Sequence, residues 1–168
     1  YGHLYPADAD STLWALRLAA ALCRTREPQV LDGLRLMRRH RKRDGGVATF
    51  LPETLGASGS APGAGAVAGW CQAHAEVTAA AGALPGFGNS SAAWLLRAQQ
   101  RDGRWQAYWY DEDAFATALA AEHLASRGGL AARRALARAA RWAASRVARD
   151  GSVAAGGVDG GSAFAAAC

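Results

Sequence analysis

The chain has no apolar run near the roughly 18 to 20 residues that a membrane span needs, and its opening residues lack the pattern of a secretory leader. It has three cysteines, Cys23, Cys71 and Cys168, far apart and without a CxxC pair. That odd, scattered set argues against a disulfide framework and leaves reduced, cytoplasmic thiols as the expectation. β-Branched residues are scarce while Ala and Gly abound, which disfavours sheet and favours helix. There is no Walker-type phosphate loop and no nucleotide fingerprint. Nothing matches a nucleic-acid module or an aromatic RNA-binding signature. An initiator Met is missing too, and "SAFAAAC" stops inside what reads as a new helix, so a piece of a longer protein is expected.

What is present is one domain's worth of sequence, 168 residues with a net charge of +5, enough to bury a core. The charge is mostly arginine. One cluster is "RRHRKR" (Arg38 to Arg43), and a second runs through Arg133, Arg134, Arg138, Arg141, Arg146 and Arg149. Such a run is ordinarily a solvated helix face, and anionic lipid, phosphate or nucleic acid are the other partners to weigh.

Two families of segments alternate along the chain. "LMRRHRKRDGGVATF", "WLLRAQQRDGRWQAYWY" and "WAASRVARDGSVAAGG" each end a helical stretch at Asp-Gly: Asp44-Gly45, Asp102-Gly103 and Asp150-Gly151. Gly just past a helix end takes up the left-handed conformation that other residues resist. Between these lie "DADSTLWALRLAAAL", "HAEVTAAAGAL" and "DAFATALAAEHLA", which share a Thr two positions after a central residue and are apolar on most faces. Helices apolar all round are buried all round. The Arg-striped helices have one wet side, with Leu136, Ala140, Ala143 and Val147 on another face. Buried inner helix, amphipathic outer helix, turn, repeated about three times, implies an all-α array of hairpins: a solenoid or, if closed, an α/α toroid. The whole of residues 1–168 reads as one partial repeat domain. A fourth inner helix is expected to begin at "DGGSAFAAAC", and a flexible Gly/Ala/Ser-rich loop at Leu55 to Gly69.

The residues Trp94-Leu95, Gln99, Gly103 and Trp105 give aromatic-Leu-x3-Gln-x3-Gly-x-Trp. This resembles the QW repeat of squalene and oxidosqualene cyclases and related class II terpene cyclases. The first and third copies keep Gly45 and Gly151 but place Val47 and Val153 where Trp would stand. Asp8-Ala9-Asp10-Ser11-Thr12 is similar to the DxDD-T signature of the same enzymes, with Ser11 departing from the last Asp. The resemblance implies an α/α toroid that usually takes six hairpins, so the rest of the parent chain would be needed to close it. It also implies cyclisation of a polyprenyl chain (squalene or a prenyl diphosphate), started by proton donation from Asp10.

Alkene protonation needs a carboxyl that stays protonated and faces a dry cavity. Burial and a second carboxylate both disfavour ionisation, so the Asp8/Asp10 pair suits that task, although the positive end of the helix dipole opposes it. Asp8, Ser11 and Thr12 are equally ordinary helix caps. A hydrogen bond from Ser11 or from an imidazole would fix the proton. His74 is the candidate imidazole, since "HAEVT" stands where "DADST" stands one repeat earlier; a structural histidine is the other reading. Glu76 is a third polar group at the rim or a helix-start acid. A carbocation also needs π faces and no nucleophile. Trp109, Tyr110 and Phe115 are the candidate cavity-lining aromatics, with Trp70, Trp105 and Tyr108 nearby. Packing within the hairpins is the alternative for each, and the expected role of Trp94 and Trp142.

Arg17, one turn past Thr12, is the basic residue available to a diphosphate. No cofactor is expected, and Mg²⁺ enters only with a diphosphate substrate. Three other readings stand beside this one: a non-catalytic toroid that binds a ligand or partner, a zinc-dependent prenyltransferase-type subunit, and a carbohydrate-active α/α barrel using Glu76 and Asp113. Cys71 and His74 lack a third zinc ligand at convincing spacing. Partners are therefore a polyprenyl small molecule, no nucleic acid, and at most a peripheral membrane contact.

Overall fold

The computed structural model describes residues 6–57 and 64–153. In chain order the helices are α1 (Ala9–Ala21), α2 (Pro28–His40), α3 (Pro52–Ala57), α4 (Ala64–Trp70), α5 (Ala75–Ala81), α6 (Gly88–Ala98), α7 (Asp113–Arg127) and α8 (Leu130–Arg146). Among the described residues there is no strand, and three isolated bridges occur: Arg41 with Val47, Ala48 with Ala73, and Val147 with Val153. The first and third close the Asp-Gly turns.

The inner and outer layers follow the alternation of the two segment families. α1 packs on α2, α5 on α6 and α7 on α8, while α5 touches both α1 and α7. α5 is buried at every position from Ala75 to Ala81, as an apolar, small-residue helix between two neighbours must be. α1 sends Ala9, Leu13 and Leu16 inward, where they join Met37, Val77, Leu84 and Phe87 in one core cluster. A second cluster gathers Leu95, Trp105, Leu124 and, from α8, Ala132, Ala135 and Ala139. The inward stripe of α8 is Ala132, Ala135 and Ala139. Leu136, Ala140, Ala143 and Val147, expected as its apolar face, border a groove of about 590 Å³ between α7 and α8 instead.

The Asp-Gly turns interlock successive hairpins. Gly45 (φ 94°) and Gly103 (φ 106°) sit in the left-handed region, and a Cβ on either would run into the main-chain oxygen of Ser90 on α6 or Arg138 on α8. Two residues on, the backbone N–H of Val47 donates to Thr78 Oγ1 at 2.8 Å, and that of Trp105 donates to Thr117 Oγ1 at 3.0 Å. In α5 and α7 the shared threonine is thus the socket for the preceding turn.

The QW-like copy is structural in the same sense. Gln99 Nε2 donates to the carbonyls of Gly103 (2.8 Å) and Ala135 (2.9 Å). Trp105 is fully buried, with its indole N–H on Leu95 O at 2.8 Å.

The loop expected over residues 55–69 is in part helical: its ends belong to α3 and α4. Ala favours helix enough to offset the glycines, and the end of α4 is tied down. Phe50 N–H donates to Trp70 O at 3.3 Å, and His74 Nε2 bonds Gly69 O at 3.0 Å. Residues 58–63, and the fourth inner helix expected at "DGGSAFAAAC", lie outside the described residues.

Candidate active site

The start of α1 separates the two aspartates into different jobs. Asp8 is the N-cap: its Oδ1 accepts the Ser11 N–H at 2.7 Å, satisfying one of the donors a helix start leaves open. Ser11 is exposed and supplies its amide to Asp8. The partner of Asp10 is Trp14, whose indole N–H donates to Asp10 Oδ1 at 3.2 Å. Sequence reasoning passed over Trp14, although the spacing of four on a helix was there to find it.

Asp10 is half-buried. Burial, and then the charges of Asp8 and Glu76, push its carboxyl above the ordinary value of 3.8, against the pull of the Trp14 hydrogen bond. Such a carboxyl holds its proton to higher pH than a free one.

On α1, Asp10, Trp14, Arg17 and Leu18 share a face beside the buried stripe of Leu13 and Leu16. That face is apolar yet open, with Trp14 40% and Leu18 61% exposed. Thr12 is half-buried next to it. Arg17 lies over the Trp14 ring, 4.7 Å from its centroid, a cation–π contact that holds the guanidinium along the helix.

His74 is the N-cap of α5 and is buried, but the structure does not join it to Asp10. Nδ1 is 2.9 Å from Thr49 Oγ1 and accepts the Trp109 indole N–H at 3.2 Å. Nε2 bonds Gly69 O. With a carbonyl at Nε2, that nitrogen carries the hydrogen and the ring is neutral. Burial, the leading cause, holds it below 6.5. Tyr108 stacks on the ring, centroids 4.0 Å apart and planes 7° from parallel. His74 is thus tied to the aromatic wall through Thr49, Trp109 and Gly69.

Glu76 is buried, and its Oε1 accepts the N–H groups of Tyr108 (2.9 Å) and Trp109 (3.0 Å). Its Oε2 is buried without a hydrogen-bond partner among the described residues. These amides fix the segment that carries the aromatics. Trp109 further donates its indole N–H to Thr49 Oγ1 at 2.7 Å and packs near Trp70, at 5.8 Å between centroids, and Phe50, at 6.0 Å. Tyr110 packs on Phe115 at 4.4 Å, and its phenol is pushed up by burial and by the charges of Asp10 and Glu76. Tyr108, Trp109 and Tyr110 are each more than a third exposed, as the Trp14 face is. Trp105, by contrast, is core.

No group of three His, Cys, Asp or Glu among the described residues is placed to hold a metal ion. His74, the one ligand the sequence offered beside Cys71, has both nitrogens engaged. No helix among them is long and apolar enough to cross a membrane. The groove between α7 and α8 is lined by Asp113, Thr117 and Trp142, among others, and does not include Asp10.

No family model matches the chain. It is 32% identical over 149 residues to labda-7,13-dienyl diphosphate synthase of Streptomyces clavuligerus, a match that covers 88% of the chain and 25% of the synthase. Its fold superimposes on the type II terpene cyclase MstE from Scytonema with a TM-score of 0.90 and 35% identity, over 99% of this chain and 49% of that one. A variant of MstE in complex with its product, merosterolic acid A, gives a TM-score of 0.89 at 35% identity and the same coverage. A protein from Actinoplanes is 42% identical, with a TM-score of 0.85, over 99% of this chain and 50% of its own. The chain thus spans about half the length of these solved proteins and a quarter of the synthase. Type II terpene cyclase structures such as MstE are α/α toroids of the kind that the repeated hairpins imply, and the chain belongs to the class II terpene cyclase family.

Proposed function

We infer that Asp10 is the general acid of a polyprenyl cyclase, protonating a terminal alkene of the substrate so that cyclisation begins. What carries the reading is the setting of one carboxyl: burial and the charges of Asp8 and Glu76 push Asp10 above its ordinary value, on a face of exposed apolar and aromatic side chains. An alkene is a very weak base, so the donor has to be a carboxylic acid rather than a carboxylate, delivered where water is excluded. The exposed faces of Trp14, Trp109 and Tyr110 offer π density to the cation that follows. The rest of the parent protein would cover this wall.

The substrate class is a linear polyprenyl chain. Two variants of MstE are held in complex with geranylgeranyl dihydroxybenzoate, described as substrate, and the Streptomyces relative is named for a diphosphate product. For a substrate with a diphosphate, Arg17 is the basic residue on the Asp10 face, and Mg²⁺ would come with the diphosphate. The protonation itself calls for no cofactor. A cytoplasmic protein touching a membrane surface fits a greasy substrate, and the exposed Arg38, Arg133, Arg134 and Arg141 of the outer helices support that placement.

The test is to supply the parent protein with squalene, farnesyl diphosphate and geranylgeranyl diphosphate and to analyse the products. The reading expects cyclic product from one of them, and a loss of about 10²- to 10⁴-fold in Asp10→Asn, the usual worth of a general acid. Equal product from both proteins removes Asp10 from the mechanism.

A further inference from the structure

The threonines of the inner helices set a register. Thr78 and Thr117 each receive the N–H of the preceding turn, and Thr12 stands at the matching position of the aligned segment "DADST". Counting back two residues places Asp10 on α1, Glu76 on α5 and Phe115 on α7 at one level of the inner layer. Glu76 is thus the repeat counterpart of Asp10, one helix along, and α1 and α5 are in contact.

The two carboxyls differ in what holds them. Asp10 is half-buried, with the Trp14 indole as the donor on Oδ1 among the described residues. Glu76 is 3% exposed, with two amides converging on Oε1 and, among the described residues, no hydrogen-bond partner on Oε2. A carboxylate satisfied on one side only, in surroundings of low dielectric, projects its negative potential onto its neighbours. We propose that Glu76 is a positioning residue for proton donation: it anchors the Tyr108–Trp109 backbone over the inner layer and, through its unpartnered oxygen, keeps the proton on Asp10.

Among the described residues, the Asp10 face of α1 also carries Arg17, held over the Trp14 ring. On its own helix Asp10 has Asp8, and from α5 it has Glu76. Tyr110, from the segment before α7, feels both carboxyls. His74 feels Glu76 and, more weakly, Lys42. Asp8 is spent on the cap, so Glu76 is the carboxylate whose position relative to Asp10 is set by packing rather than by chain proximity. The bond that Glu76 makes to the Trp109 amide also links proton holding to the aromatic wall, since the Trp109 indole rests on Thr49 and His74. A single side chain therefore ties the acid to the π faces that the cation would meet next.

This inference rests on Asp10 being the donor, and its test is kept separate from that reading. A ¹³C-carboxyl NMR titration of the full chain follows Asp10 directly, whether or not the parent cyclises anything. In Glu76→Gln the amide oxygen still accepts both N–H groups, and the Asp10 midpoint is expected to move to lower pH. Glu122→Gln, an exposed charge lost from α7, leaves the midpoint in place. In the parent, the alkaline limb of the activity profile moves to lower pH in Glu76→Gln. An Asp10 midpoint unmoved in Glu76→Gln, or moved equally by Glu122→Gln, overturns the role of Glu76 even if the parent is an active cyclase. A parent inactive on every substrate, with the Asp10 midpoint still moved, overturns the reading of Asp10 instead.

Discussion

Trp14 stands one helical turn beyond Asp10, and its indole N–H donates to Asp10 Oδ1 at 3.2 Å. This bond favours the ionised carboxyl, against burial and the charge of Asp8. Trp14→Phe keeps the ring and removes the donor, so Asp10 should titrate at still higher pH, at a cost of about 1 kcal/mol in stability for the lost hydrogen bond. Carboxyl ¹³C shifts and urea melts measure the two effects. A midpoint that falls or stays put contradicts the assignment.

Gly103 and Gly151 occupy equivalent turns but unequal surroundings. Both have positive φ, yet a Cβ at Gly103 meets the backbone of Arg138, and one at Gly151 meets none of the described residues within 4 Å. Gly151→Ala should cost about 1 kcal/mol for the left-handed conformation alone. Gly103→Ala adds the displacement of α8 and should cost at least about 1 kcal/mol more. Chemical denaturation of the two variants compares them, and equal losses would show that the turns do not interlock as described.

The threonine sockets make a similar demand. Thr117→Val preserves shape and volume but leaves the buried Trp105 N–H without its acceptor. A loss of about 1–3 kcal/mol is expected, with Thr78→Val, which strands the Val47 N–H, in the same range. A thermal melt within error of the unmodified chain for either variant rules the socket out.

Two classes of buried group give the stability opposite pH dependences. His40, His74 and His123 are held below 6.5, each chiefly by burial. The unfolded chain therefore binds more protons near that pH, and their contribution is lost as pH falls below 6.5 through the folded midpoints. Asp10 works the other way: its folded midpoint lies above 3.8, so its contribution is present at acid pH and lost as pH rises through that window. Asp10→Asn should accordingly melt above the unmodified chain at neutral pH, with the gap closing under acid conditions. Melting temperatures across the range check both slopes, and a gap that widens on acidification contradicts the sign.

The hairpin order was legible in the sequence because Asp-Gly turns and near-continuous Ala/Leu runs each have one local cause. The cap at Asp8 was legible for the same reason. The partners of His74 were not: Thr49 and His74 are 25 residues apart, and Thr49 and Trp109 are 60 apart. No periodicity carries a contact of that range. Glu76 was visible as a rim acid, but the amides of Tyr108 and Trp109 that it accepts belong to the next repeat. The stretch at 55–69 misled because its composition reports the cost of glycine and leaves out the anchoring that His74 and Phe50 give α4.

The central claim is that a proton passes from Asp10 to carbon. Running the parent protein in D₂O with an alkene-terminated polyprenyl substrate tests it most directly, because a deuteron delivered to carbon does not wash out. The account predicts a cyclic product carrying one deuterium at the protonated terminus and no such product from Asp10→Asn. Cyclic product without deuterium, or labelled product in equal amount from Asp10→Asn, would contradict it.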